Sequence, residues 1–99
     1  MLITKAMKFP KIGTTDGKPK DKVEVVAKFF TPDSQCTWYA VEFDGNDTFY
    51  GWCDLGYGGE LGYFNKSELE ELRGNLGLPV ERDRYFEGTL AQVMKGEVS

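Results

Sequence analysis

Apolar and polar residues alternate along three consecutive segments of the chain, residues 23–30, 36–43 and 47–54. An alternation of period two over four to eight residues is typical of strands, and β-branched and aromatic residues dominate these segments. Turn-forming residues separate them, around Asp33-Ser34 and within Asp44-Gly45-Asn46-Asp47. Such short turns join antiparallel neighbours, so the pattern predicts a three-stranded meander, followed by a fourth short strand at residues 61–64.

Two short helices are predicted after the strands. Ser67 followed by Glu70 has the spacing of a capping box, Leu69 and Leu72 share one helical face, and Gly74 is placed to end the helix. Thr89 is placed to cap a last helix over residues 90–95. We therefore expect one α+β domain with a mainly antiparallel sheet of about four strands and one or two short helices on one face. Residues 1–22 form an N-terminal segment with a Lys-rich loop, and residues 23–95 form the α+β domain.

Tight turns also predict which strand residues share a face, because each turn sets the pairing register. A tight turn centred on Asp33-Ser34 pairs residues of the first and second strands whose numbers sum to 67. A two-residue turn at Gly45-Asn46 pairs residues of the second and third strands whose numbers sum to 91. The residues expected on one side, called the first face, are mostly apolar, with Glu42 as the exception: Val23, Val25, Ala27, Phe29, Cys36, Trp38, Ala40, Phe49, Gly51 and Cys53. The residues expected on the other side, called the second face, mix aromatic and charged side chains: Glu24, Val26, Lys28, Phe30, Thr37, Tyr39, Val41, Phe43, Thr48, Tyr50 and Trp52.

The second face contains the main candidate binding site, formed by Tyr39, Tyr50 and Trp52 with Lys28 beside them. Aromatic residues with polar tips are enriched at protein interfaces, and they also stack on bases in sheet-based RNA readers. The other interpretation is that the terminal segments of the chain cover this face.

Charge is unevenly distributed along the chain. Residues 1–28 contain seven lysines and three acidic residues, a net charge of +4, whereas residues 29–99 have a net charge of −8. An acidic body argues against nucleic-acid binding driven by phosphate contacts. The basic segment is either a solvated, mobile arm or a weaker nucleic-acid contact. No apolar run is long enough to span a membrane, so we expect no membrane association and a cytoplasmic location.

The sequence predicts no catalytic, metal or cofactor site. It contains no histidine, and its two cysteines, Cys36 and Cys53, are interpreted as small core residues rather than redox thiols. The glycine-rich segment 56–62 matches no phosphate-binding motif. Arg82 and Arg84 alternate with acidic residues in an extended segment, which favours ion pairs with Glu42 or the helix glutamates; the alternative is an anion or phosphate site.

Several blocks resemble one known family. They run from Glu60 to Phe64, from Ser67 to Gly74 and from Gly77 to Asp83, and related blocks occur in the preceding strands. Over residues 23–90 the chain is similar to a domain-of-unknown-function family of about a hundred residues, found on bacterial plasmids, conjugative elements and phages. The resemblance implies a single small α+β domain and brings no catalytic residues with it. The N-terminal segment departs from the family pattern.

The expected function is that of a small non-enzymatic protein-interaction module of a mobile genetic element or phage, with an unidentified protein partner. A narrower alternative is an inhibitor of a host defence nuclease, of the anti-restriction or anti-CRISPR type, because an acidic body suits a basic nucleic-acid channel. A different alternative is a binder of RNA or single-stranded nucleic acid that uses the aromatic face.

Overall fold

The computed structural model describes Ile3, residues 7–56 and residues 58–96. Residues 1, 2 and 4–6 of the predicted N-terminal segment, Tyr57 of the glycine-rich segment, and residues 97–99 lie outside the described residues. The regular elements are strands β1 (Ala27–Phe30), β2 (Thr37–Phe43), β3 (Thr48–Asp54), β4 (Gly59–Asn65) and β5 (Glu81–Asp83), helices α1 (Lys66–Glu71) and α2 (Leu90–Met94), and a 3-10 turn at Lys20–Lys22.

The β2–β3 hairpin turn lies where the sequence predicts, but it is one residue longer than a pairing sum of 91 requires, because Asp44 N donates to the carbonyl of Thr48 at 3.0 Å. Oδ1 of Asp44 accepts hydrogen bonds from the backbone N–H groups of Asn46, Asp47 and Thr48 at 2.8, 2.9 and 3.0 Å. Gly45 has a φ of 84°, which glycine adopts without steric cost. The predicted pairing sum of 67 is confirmed along β1, where Ala27 lies opposite Ala40. The sum of 91 holds from Thr37 to Ala40, which lies opposite Gly51, but not between Ala40 and the turn.

A bulge interrupts the β2–β3 register after Ala40 and corrects two predictions. Beyond it, Glu42 lies opposite Tyr50 and Phe43 lies opposite Phe49. One extra residue in a strand shifts the following side chains to the other face. Phe43 therefore packs in the core of the first face, where its ring stacks on Phe49 with centroids 4.5 Å apart. Glu42, the exception among the residues predicted for the first face, does not lie on that face, because its cross-strand partner is Tyr50 of the second face.

The start of β1 also differs from the prediction. The strand begins at Ala27, and Val23 and Val25 pack with the core of the second face instead of the first. The cause is a second set of backbone hydrogen bonds, from Val25 N to the carbonyl of Gly88 at 3.0 Å and from Leu90 N to the carbonyl of Val23 at 2.8 Å. The C-terminal segment thus takes the backbone groups that a longer β1 would use.

The predicted fold class, a single α+β domain, is confirmed, with one more strand than expected. The five strands lie in the order β4-β3-β2-β1-β5, all antiparallel. The two helices lie on opposite faces of this sheet instead of together on one. Leu69 of α1 belongs to the core of the first face, whereas Leu90 and Val93 of α2 belong to the core of the second.

The predicted capping box at Ser67 is wrong, because α1 begins at Lys66. The carboxylate of Asp47 takes the place of a local cap and accepts hydrogen bonds from the N–H and the hydroxyl of Ser67, both at 2.8 Å. A capping box does form at α2, between Thr89 and Gln92, where Thr89 is the predicted cap. The helix α1 ends at Glu71, which leaves Leu72 exposed.

The N-terminal segment is attached to the sheet between Phe9 and Thr15 and is not a free arm there, whereas residues 16–22 are exposed. The ring of Phe9 lies 5.5 Å from that of Phe43 and 5.6 Å from that of Phe49, and Phe43 N donates to the carbonyl of Pro10 at 3.0 Å. The following loop crosses to Glu42, whose side chain is 1% exposed. Glu42 accepts hydrogen bonds from Gly13 N at 2.8 Å and Thr15 N at 2.7 Å, and from the hydroxyl of Thr15.

Candidate functional site

A row of five side chains crosses the second face of the sheet. Cross-strand pairing joins Asp83 to Lys28, Lys28 to Tyr39, Tyr39 to Trp52, and Trp52 to Leu61. Because directly opposite residues point to the same face, the row brings together three of the six predicted site residues. Tyr50, a fourth, lies one row further along β3, opposite Tyr63 of β4.

The middle of this row is covered by the segment that follows β5. Phe86 packs on Tyr39 with ring centroids 5.5 Å apart, and Tyr39 is only 7% exposed. Nζ of Lys28 lies 5.8 Å from the Tyr39 ring centroid, 5.4 Å from that of Phe86 and 3.8 Å from Oδ2 of Asp83. At Tyr39, therefore, the second interpretation applies: a segment from the C-terminal part of the chain covers the face, and the Tyr39 ring is part of the core.

The electrostatic setting keeps the Tyr39 phenol protonated. Burial raises the pKa of Tyr39, and the negative charges of Asp54 and Asp83 raise it further. Burial likewise raises the pKa of Tyr50, with smaller contributions from Asp16, Tyr63 and Glu42. Neither phenol can act as a base near neutral pH.

The exposed remainder of the second face lies at the β3–β4 edge. The ring centroids of Tyr50 and Tyr63 are 5.0 Å apart, and Tyr63 is 67% exposed. The indole of half-buried Trp52 lies over Gly59, where a Cβ would approach Nε1 to 2.2 Å. Sequence reasoning missed Tyr63 because it assigned no register to β4.

The two predicted arginines do not join the aromatic row. Arg82 lies opposite Phe29, a residue of the first face, and its guanidinium contacts the sulfur of Met7. Arg84 is exposed and follows the end of β5 at Asp83, so the strand alternation that would align it with Arg82 has stopped. Glu42, one of the predicted ionic partners, is occupied by the Gly13–Thr15 hydrogen bonds.

A second exposed surface, which the sequence analysis did not single out, follows α1. Residues 72–79, called here the leucine loop, expose the side chains of Leu72, Leu76 and Leu78, and Leu76 is 81% exposed. Arg73 and Pro79 form a β-bridge at its base, and Gly74 N donates to the carbonyl of Leu78 at 2.9 Å. In the sequence, this loop appears as three leucines separated by the turn-forming residues Gly74, Asn75 and Gly77. The spacing fits neither a strand nor a helix, so hydrophobic periodicity does not reveal it.

The turn between β1 and β2 holds the leucine loop in place. Oδ2 of Asp33 accepts hydrogen bonds from the backbone N–H groups of Leu76 at 2.6 Å and Leu78 at 3.2 Å. The carboxylate sits directly against Gly74, where a Cβ would lie 1.5 Å from Oδ1. Gly77 has a φ of 84°, which favours glycine at that corner. The loop is thus fixed by side-chain and backbone hydrogen bonds although its leucines face solvent.

The two thiols and the acidic groups are the remaining candidates for chemistry. Burial raises the pKa of the Cys53 thiol to about 11, with a further contribution from Glu60, so the thiolate form is scarce near neutral pH. Both cysteines are free and half-buried, and both pack against the core of the first face. Within the described ranges no three His, Cys, Asp or Glu side chains are grouped to hold a metal ion.

A comparison of the sequence with protein-family models gives a match. The model of the protein family of unknown function DUF2958 matches residues 3–94. The chain belongs to this family. No curated protein and no solved structure matches it. Among the described residues of this DUF2958 domain, no helix has the length and apolar character needed to cross a membrane.

Proposed function

We propose that this DUF2958 domain is a non-enzymatic protein-binding module that contacts its partner through the leucine loop. The observation that carries the proposal is the combination of exposure and order at Leu76 and Leu78. Their side chains face solvent, while the carboxylate of Asp33 binds the backbone N–H of both residues. Exposed apolar groups on an ordered loop are typical of a recognition surface.

The energetic argument rests on pre-organisation. Burying the largely exposed Leu76 side chain in a partner contributes about 2 kcal/mol. A flexible loop would lose part of that gain to the entropy of ordering, whereas a loop already held by Asp33 does not. The exposed β3–β4 edge, with Tyr63 beside Tyr50 and Trp52, supplies a second apolar surface of the same kind.

The charge around the loop supports the narrower proposal of an inhibitor of a host defence nuclease. The exposed glutamates of α1, Glu68, Glu70 and Glu71, directly precede the leucine loop, and residues 29–99 have a net charge of −8. An acidic, apolar surface complements a basic nucleic-acid channel. On this proposal the protein acts in the cytoplasm, and its gene is carried by a plasmid, conjugative element or phage.

Nucleic-acid binding through the aromatic face has less support. A stacking platform needs rings open to solvent, and Phe86 covers Tyr39 at the centre of the row. Lys28, the cation of that face, is engaged with Asp83 at 3.8 Å. We therefore assign the aromatic row mainly to the core and keep the exposed Tyr63 edge as a protein contact.

The proposal is tested by affinity capture from a lysate of the source cells, with and without nuclease treatment, using three forms of the protein. Leu76→Ser removes the most exposed leucine of the loop. Leu55→Ser is the matched control, because Leu55 is also exposed, at 47%, and lies in a different loop. We expect one protein to be captured in stoichiometric amount by the native chain and by the control, and to bind the Leu76 variant about tenfold more weakly or worse.

Two outcomes contradict the proposal. One is equal capture by the Leu76 and Leu55 variants, which would place the contact elsewhere. The other is a captured protein that disappears after nuclease treatment, which would assign the interaction to nucleic acid. Asp33→Ala adds a test of pre-organisation: it leaves all three leucines in place, yet weaker binding is expected because the loop loses two hydrogen bonds.

A further inference from the structure

A cavity of about 290 Å³ lies between the N-terminal segment and the start of β1, away from the leucine loop and the aromatic row. Three lysines line it: Lys8, Lys18 and Lys22. All three are exposed, and within the described ranges none forms an ion pair or a side-chain hydrogen bond. Glu24 is the acidic residue of the same lining, so three ammonium groups against one carboxylate leave an excess of positive charge. Such an excess favours an anion, which would reduce the mutual repulsion of the lysines and accept their hydrogen bonds.

The rest of the lining favours an organic anion over a bare inorganic one. Pro10, Val23 and Val26 contribute apolar surface to the same cavity, and Glu24 contributes a carboxylate acceptor. Small-molecule sites commonly combine an apolar wall with a few polar groups that fix orientation. The lysines suit a phosphate group, the apolar wall suits the carbon skeleton attached to it, and Glu24 can accept hydrogen bonds from its hydroxyl or amino groups.

The cavity is built on fixed structure although its lysines are exposed. The loop that carries Lys18 is tied to the sheet through Thr15, whose N–H and hydroxyl both donate to buried Glu42. The opposite wall is held by the hydrogen bond from Leu90 N to the carbonyl of Val23 at 2.8 Å. Only the lysine side chains need to order when a ligand enters, which lowers the entropic cost of binding.

From these observations we propose that this cavity binds a small phosphorylated metabolite of mononucleotide size or smaller. Its volume lies at the lower end of the range for small-molecule pockets, and this limits the ligand to that size. A long nucleic-acid strand is disfavoured, because beyond the basic segment the chain has a net charge of −8 and would repel further phosphates. The cavity lining shares no residue with the leucine loop, so this proposal does not depend on the proposed protein contact.

The proposal is tested on the full chain by NMR titration of backbone amides with inorganic phosphate, AMP and a single-stranded RNA oligonucleotide. We expect AMP to shift the amides of Thr15, Val23 and Val26 in a saturable way. Lys18→Gln with Lys22→Gln should weaken AMP binding at least about tenfold, because two charge-assisted contacts are lost. The control is Lys66→Gln with Lys95→Gln, which changes net charge equally outside the cavity lining and should leave AMP binding within about twofold.

Each other outcome overturns part or all of the inference. AMP shifts that do not localise to the cavity, or that both double variants weaken equally, would reduce the site to general attraction by surface charge. Binding of inorganic phosphate as tight as that of AMP would refute the role of the apolar wall. Binding of RNA that strengthens with length, without binding of AMP, would replace the small ligand by a nucleic-acid strand. Thermal unfolding of both double variants verifies that they remain folded.

Discussion

Replacing Glu42 by glutamine tests how the N-terminal segment is attached to the sheet. Glu42 is 1% exposed, and its carboxylate accepts three hydrogen bonds, from Gly13 N, Thr15 N and the Thr15 hydroxyl. Together with the hydrogen bond from Phe43 N to the carbonyl of Pro10, these contacts attach the N-terminal segment to β2. A glutamine has nearly the same shape but only one acceptor oxygen, so the substitution removes charge and acceptors without creating a cavity.

The expected loss of stability follows from the number of hydrogen-bond donors that the introduced side chain can still satisfy. The single acceptor oxygen of the introduced glutamine can serve Thr15 or Gly13 but not both, and its NH₂ group would face a backbone N–H. A hydrogen bond to a charged acceptor contributes about 1.5–3 kcal/mol, and an unsatisfied buried donor costs about 1–3 kcal/mol. Rotation of the Thr15 hydroxyl recovers part of the loss. We therefore expect Glu42→Gln to lower the free energy of unfolding by roughly 2–3 kcal/mol at pH 7.

The pH dependence gives an independent check of the same contacts. Burial raises the pKa of Glu42, but the hydrogen bonds from Thr15 and Gly13 together outweigh it and hold the pKa below its usual value. A carboxyl group whose pKa is lower in the folded state stabilises the protein above the unfolded-state pKa of about 4.3. That stabilisation is lost as the pH falls through the lower folded-state pKa. The difference between the native chain and the Glu42 variant should therefore shrink below about pH 4.

The assay is urea unfolding followed by tryptophan fluorescence, at a series of pH values from neutral to acidic. Glu71→Gln serves as the control, because Glu71 is an exposed helix residue whose carboxylate forms no ion pair or hydrogen bond among the described residues. The reasoning is refuted if Glu42→Gln lies within about 0.5 kcal/mol of the native chain at pH 7, the range of ordinary surface substitutions. A difference that does not change with pH would refute the assignment of a lowered pKa.

Three further predictions concern single positions. Gly51→Ala should destabilise the protein by roughly 3 kcal/mol in urea unfolding, because a Cβ there would lie 1.8 Å from the carbonyl oxygen of Tyr39, and a variant as stable as the native chain would contradict this close approach. Thr89→Ala should cost about 1 kcal/mol in thermal unfolding through loss of the α2 capping box, whereas Thr14→Ala, in an exposed loop, should cost less than half of that. Cys53, with its pKa raised to about 11, should react with iodoacetamide at pH 8 far more slowly than free cysteine, and an equal rate would contradict its burial.

The meander could be predicted from the sequence because its determinants are local. Asp44 and Gly45 form the second turn with their own side chain and backbone. This turn is one residue longer than predicted, and the bulge after Ala40 offsets the difference, so the predicted register holds from Thr37 to Ala40. The face assignment of Lys28, Tyr39 and Trp52 followed from that register and is confirmed by their cross-strand pairing. Turn-forming residues located these strands without information from distant parts of the chain, whereas the bulge that restores the register was not predicted.

The rest of the second face depends on long-range partners that no local pattern reveals. The bulge that moves Phe43 to the first face is accompanied by the hydrogen bonds that Gly13 and Thr15 make to Glu42, almost thirty residues earlier in the chain. The early start predicted for β1 failed because Gly88 and Leu90 take the backbone groups of Val25 and Val23. The cover over Tyr39 comes from Phe86, nearly fifty residues away. Sequence reasoning found the aromatic residues but not the segment that covers them.

The same long-range contacts determine which surfaces of this protein stay exposed. The core of the first face contains Leu69 of α1 and Phe64 of β4, and that of the second contains Leu90 and Val93 of α2. With most of both faces of the sheet in use for folding, the two surfaces that we propose for binding lie in loops, where exposed side chains cost little stability. The leucine loop and the lysine-lined cavity both lie there, and each is held by one acidic side chain, Asp33 or Glu42. If the proposed contacts are correct, a carboxylate that orders each loop separates the residues that bind from the residues that hold the loop, so the exposed leucines or lysines can be replaced without loss of the fold.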